Sequence, residues 1–245
     1  MPGTSFDDVL LVNPSQIRPA TADGIAQAES ELGIRMPSGY AAYMERLGEG
    51  ALGHFVRVHE PAKLPALTLE WRVRIKEYWF WDTSEAGVAP ESLQERGVFV
   101  ADSFDGDELC FDPADPETLF VLPRDEDLVR RVGPGFIAAV DWMLSGALNP
   151  WAEGWTFEAW TDRAEVRQEL HGRQLADAAR AIAALGEHSH VVELGDRKTF
   201  FLPAIGGRLS LYQVDDGAAR VDLTYDETAD PEAVDVVLAA IRDGR

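Results

Sequence analysis

The densest run of potentially reactive side chains is the acidic group Asp102, Asp105, Asp107 and Glu108. A calcium loop of the EF-hand kind needs ligands at alternate positions and a late glutamate. This spacing departs from that pattern. Asp and Gly are favoured turn residues, and Asp105-Gly106 between two apolar runs is a hairpin signal. The group therefore reads first as a turn. A second reading is an exposed acidic patch that meets Lys and Arg side chains of a partner.

The histidines are His54, His59, His171, His188 and His190. His188 and His190 would share one face of a strand. No third ligand is evident, and zinc takes three or four. His54 and His59 lack the helical spacing of a metalloprotease. Cys110 lies between Leu109 and Phe111 and reads as a small buried residue rather than a nucleophile. There is no G-x-S-x-G elbow. Gly48, Gly50 and Gly53 lack the Lys-Ser/Thr of a phosphate loop. With 43 acidic residues, chance carboxylate pairs are inevitable and say nothing about glycoside chemistry. No catalytic residue, cofactor site or metal site is assigned, and the chain reads as a non-enzyme.

The aromatic group Trp71, Tyr78, Trp79, Phe80 and Trp81 is of another kind. Consecutive aromatics cannot all face one core from a helix. Trp and Tyr are enriched in binding hot spots. Trp79 and Trp81, with Asp102, Asp105, Asp107 and Glu108, form the candidate partner-binding set. The alternative is a two-sided packed segment, with Arg72 and Arg74 shielding exposed ring faces.

Charge points the same way. The 43 acidic residues outnumber 22 basic ones, for a net charge of -21. Such a surface repels nucleic acid and anionic membranes and attracts basic proteins. Solubility alone is the competing explanation. One cysteine permits no intramolecular disulfide and fits a reducing compartment. The first residues lack the basic region of a signal peptide, and no apolar run approaches the ~18 residues of a membrane span. A cytoplasmic location is expected.

These side chains need elements to hold them. Residues 21–33 read as a helix capped by Thr21 or Asp23 and stopped by Gly33. A second helix, 38–47, is opened by Pro37 and carries Tyr40, Tyr43, Met44 and Leu47 on one side. Residues 53–59 alternate like a strand. Residues 70–81 fit a helical face, though their β propensity is also high; helix is taken. Strands at 97–101, 108–112 and 118–122 form an antiparallel meander, followed by a helix at 134–145 with Phe136, Ile137, Val140 and Leu144 inward. The stretch 146–155 reads as a boundary. Domains are expected at 1–148 and 149–245. The second reads α-β-β-β-β-α, with a helix at 161–185, turns at Gly206-Gly207 and Asp216-Gly217, and a last helix at 231–242.

The order Ile25, Glu29, Gly33, Met36-Pro37, Tyr40 and Gly48-x-Gly50, then Asp105-Gly106-Asp107 and the strand 109–112, resembles the SUKH superfamily. The similarity covers roughly residues 20–146. It implies an α+β fold with an antiparallel sheet of about six strands and flanking helices. It also implies a binding role, since bacterial members are often immunity proteins that neutralise a toxin. Glu29, Gly33, Pro37, Tyr40 and Gly48 carry the resemblance, and their physical roles are structural. Nothing comparable covers 149–245. The expected partner is a basic protein such as a nuclease toxin, with no direct nucleic acid and no membrane. A regulatory or scaffold module of the same fold is the first alternative. An enzyme with its site in the C-terminal half is the second.

Overall fold

The computed structural model describes residues 6–84, 90–170, 175–184, 189–214 and 219–243. The chain divides into two compact units, Met1–Leu10 with Ile17–Ala159, and Leu11–Gln16 with Trp160–Arg245. Each unit holds helices and a sheet, and the fold class is α+β. The division falls at 159/160 rather than 148/149. The cause is a strand at Thr156–Ala159 that pairs with Gly50–Leu52 of the first sheet.

Leu10–Leu11 is a short strand, β1. Helix α1 spans Ala22–Leu32, with the Gly24 N–H donating to Thr21 Oγ1 at 3.1 Å. Gly33, at φ 68°, ends it in the left-handed conformation that glycine adopts without a Cβ penalty. The Glu29 carboxylate accepts from the Met36 N–H at 2.7 Å, tying the helix to the following link. Helix α2 spans Tyr40–Arg46 and starts later than the sequence suggests. The Pro37 carbonyl first takes the Tyr40 N–H at 3.2 Å in a turn. Beyond α2, Gly48 passes against the Arg18 backbone at φ 74°.

Of the predicted strand 53–59 only Val56–Val58 is a strand, β3, and its antiparallel partner β2 is Gly50–Leu52, before the predicted range. A turn with His54 at φ 51° separates them and breaks the alternation. Helix α3 is Leu64–Glu77, so the ambiguous segment is helical up to residue 77. β4 (Thr83–Ser84) and helix α4 (Pro90–Arg96) follow. Next come β5 (Val98–Ser103), β6 (Glu108–Asp112), β7 (Asp115–Leu122) and β8 (Leu128–Pro134), then helix α5 (Gly135–Leu144) and β9 (Thr156–Ala159).

Among the described residues the sheet has nine strands in the order β1-β9-β2-β3-β5-β6-β7-β8-β4. β5 to β8 are antiparallel neighbours, and β4 adds a parallel edge. Leu109 to Phe111 and Leu119 to Leu122 are buried without alternation. Unbroken burial along a strand means that both sheet faces are covered. Phe99, Cys110 and Phe120 lie opposite one another across three strands and pack with Trp71 and Ile75 of α3. On α2 and α5, Tyr40 and Tyr43 meet Phe136 edge-on, at centroid distances of 5.3 and 5.4 Å.

The second unit has a five-stranded antiparallel sheet, order β10-β14-β13-β12-β11. β10 is Arg163–Leu170, α6 Leu175–Ala184, β11 His190–Leu194, β12 Arg197–Leu202, β13 Gly207–Gln213, β14 Ala219–Asp226 and α7 Pro231–Asp243. The helix expected over 161–185 is therefore a strand followed by a shorter helix. Glu165, Arg167 and Glu169 alternate with Ala164, Val166 and Gln168, a period of two that suits a strand. Pairing with β14 from Arg163↔Asp226 to Leu170↔Ala219 fixes it. Leu209, Leu211, Val221 and Leu223 pack against Ile182 of α6 and Val237 of α7. The Asp216-Gly217 turn lies outside the described residues.

Candidate partner-binding site

Helix α3 lies over β5 and β6, and its inner face sets the geometry of the site. Trp71 turns inward, and its indole N–H donates to Glu108 Oε2 at 2.6 Å. Arg74, one turn later, donates to Glu108 Oε1. Glu108 is 7% exposed. Burial pushes its carboxyl above the usual range, while Arg74 and Trp71 pull the other way. A buried carboxylate is tolerable because both of its oxygens have partners.

Asp102, at the end of β5, is held by Arg57 from β3, with Arg57 Nε donating to Oδ1 at 2.8 Å and Nη2 donating to Oδ2. His59 Nε2 stands 3.2 Å from the same Oδ1. The other ring nitrogen faces Glu49 at 3.9 Å, and Glu49 is bound by Lys63 at 2.7 Å. Lys63, Glu49, His59, Asp102 and Arg57 thus form one connected chain of polar contacts. Beside it lies a cleft of about 220 Å³, lined by Leu67, Glu70, Trp71, Phe99, Asp102 and His59 among others. A second hollow, about 190 Å³, lies along the C-terminal end of α3, among Arg74, Tyr78, Phe80, Trp81 and Arg124.

The six candidate residues gather around this end of the unit, but in different roles. Asp102 and Glu108 line the two hollows. Asp105 is exposed at the hairpin tip, where Oδ2 accepts from Asn149 at 3.0 Å. Asp107 turns inward instead. Its carboxylate accepts from the Ser103 hydroxyl at 2.6 Å and from the Arg124 N–H at 3.0 Å, which holds the hairpin together. Trp81 is buried, and its indole donates to the Pro123 carbonyl at 2.7 Å. Trp79 is half-buried and donates to the Trp81 carbonyl. The aromatics on the surface are their neighbours Tyr78 and Phe80, 64% and 42% exposed. Among the described residues Arg72 shields no ring; it donates to the Arg96 and Gly97 carbonyls at the C-terminal end of α4.

Sequence reasoning also missed Leu69 and Val73. They stand 66% and 63% exposed on the outer face of α3. Their i, i+4 spacing was a readable signal, masked by the inward pattern of Trp71 and Ile75.

Glu29, Gly33, Pro37 and Tyr40 lie at the α1–α2 junction and Gly48 just beyond α2; Tyr40 is fully buried, and its hydroxyl donates to the His59 carbonyl at 3.4 Å. The junction is therefore tied directly to the residue that bridges Glu49 and Asp102. The model of the SMI1/KNR4 family (SUKH-1) matches residues 19–142. The chain belongs to this family. SUKH-1 includes immunity proteins and is in general a family of binding domains. A search of curated proteins finds no match.

Cys110 is fully buried, and burial drives its thiol well above the usual range. His54 is exposed in the β2–β3 turn. His190 opens β11, while His171 and His188 lie outside the described residues. Among the described residues, no group of three or more His, Cys, Asp or Glu side chains is arranged to hold a metal ion. No helix among them is long and apolar enough to cross a membrane.

Proposed function

We propose that this SUKH-1 chain is an immunity-type protein of the cytoplasm that binds a basic effector, such as a nuclease toxin, and blocks it. The observation that carries this reading is the acidic excess of the unit that contains the family match. Residues 1–10 and 17–159 hold 27 acidic residues against 12 basic ones. Carboxylates on such a surface stand in for the phosphates that a nuclease groove attracts. The encounter is then fast and salt-sensitive.

A regulatory module of the same fold would share this geometry, and identification of the partner separates the two. The test is affinity capture by the tagged chain from its native lysate, with stepwise salt elution and mass spectrometry. The reading expects one stoichiometric basic protein, released as salt rises, whose toxicity on expression is relieved by co-expressing this chain. A captured protein that is harmless when expressed points to the regulatory module. A chain that captures nothing stoichiometric contradicts both.

A further inference from the structure

The cleft beneath α3 combines three properties that rarely coincide on a surface. Its floor is apolar, from Leu67 with the core residues Trp71 and Phe99, themselves 2% and 4% exposed. Its interior holds the Asp102 carboxylate, which takes three contacts from Arg57 and His59. A carboxylate has about four acceptor positions, so one stays open. At its rim stands Glu70, exposed and, among the described residues, with neither a hydrogen bond nor an ion pair. Arg74, also in its lining, is committed to Glu108, as Arg57 is to Asp102. Next to the cleft, on the outer face of the same helix, Leu69 and Val73 are open to solvent, flanked by the equally uncommitted Glu77.

We propose that this cleft receives the side chain of one arginine from the partner protein, and that Leu69 and Val73 form the apolar contact beside it. A planar guanidinium pairs with a carboxylate through two N–H groups at once, in a way that a compact ammonium does not. The apolar ridge excludes water around the ion pair, as a hot spot requires. The inference rests on the basic-partner reading above and adds the binding face and the anchoring residue.

The test uses N-acetyl-arginine amide as the probe, titrated into the ¹⁵N-labelled full chain and followed by NMR. The expected result is a saturable shift of the Trp71 indole N–H and of the Glu70 and Asp102 amides. The neutral citrulline amide should produce none of it. Glu70→Gln, at an exposed position that tolerates substitution, should weaken the probe roughly threefold or more. Equal response to citrulline, shifts elsewhere, or no saturation overturns the site. A partner captured equally well by a Leu69→Asp/Glu70→Lys chain also overturns it, while the basic-partner reading stands; loss of capture supports it. Self-association that Leu69→Asp abolishes would assign the ridge to a second copy of the chain and overturn the assignment to a partner.

Discussion

Two glycines of the family motif share a left-handed backbone but differ in what surrounds them, and alanine at each should separate the two effects. Gly33 lies at φ 68° with nothing within 4 Å of an added Cβ. Gly48 lies at φ 74°, and its Cβ would fall 2.0 Å from the Arg18 carbonyl oxygen and 2.8 Å from that carbonyl carbon. Left-handed backbone costs an L-residue roughly 1–2 kcal/mol. Reduced freedom of the unfolded chain returns about 0.4–1 kcal/mol of it. Gly33→Ala should therefore cost about 1 kcal/mol. Gly48→Ala adds a collision with backbone that cannot rotate away, and relieving it breaks the Arg18–Gly48 bridge. Its total should reach about 3–4 kcal/mol, within the range of strained backbone sites. At ~2–4 °C per kcal/mol for a chain of this size, the melting temperatures should fall by about 3 °C and about 10 °C. Urea unfolding followed by tryptophan fluorescence, compared at equal slope, gives the free energies. Two variants within ~0.5 kcal/mol of each other, inside the error for surface substitutions, would refute the steric reasoning.

Three other perturbations test separate parts of the structure. The Tyr43 hydroxyl is buried and, among the described residues, has no hydrogen-bond partner, so Tyr43→Phe should leave stability unchanged or raise it by about 1 kcal/mol in urea unfolding; a clear loss would mean that the hydroxyl has a partner. Cys110 should resist a thiol reagent in the native state and react only at the rate of unfolding, since it is fully buried with its thiol pushed up. Fast labelling of folded protein would contradict that. Glu108 is raised by burial, so its ionisation is harder in the folded state. Its contribution is fully present below the unfolded carboxylate pKa and is lost as pH rises through the folded value. The stability difference between wild type and Glu108→Gln should therefore decline as pH rises above 4.5, the ordinary glutamate value. A difference that grows with pH would mean that Arg74 outweighs burial.

Local signals carried much of the first unit. Thr21 and Gly33 mark both ends of α1 because capping and left-handed termination are decided within a few residues. The β5–β6 hairpin follows from Asp105-Gly106 for the same reason. β9 was not legible, because Thr156–Ala159 becomes a strand only by pairing with Gly50–Leu52 far away in sequence. β10 was missed because eight polar-rich residues fit a helix as well as a strand until β14 supplies the partner. At the site, sequence identified the right neighbourhood but not the orientations. Whether Trp81 or Phe80 faces water depends on the Pro123 carbonyl, and whether Asp107 is free depends on Ser103. Leu69 and Val73 became visible only once the inner face of α3 was known.

The most direct test of an acidity-driven binder is the association rate of the chain with its captured partner, measured by surface plasmon resonance as ionic strength rises. Electrostatic steering predicts a fall of about tenfold or more between about 50 mM and about 500 mM salt, with a smaller change in the dissociation rate. An association rate that is flat across that range would contradict the account, because the acidic excess of the SUKH-1 unit would then play no part in recognition.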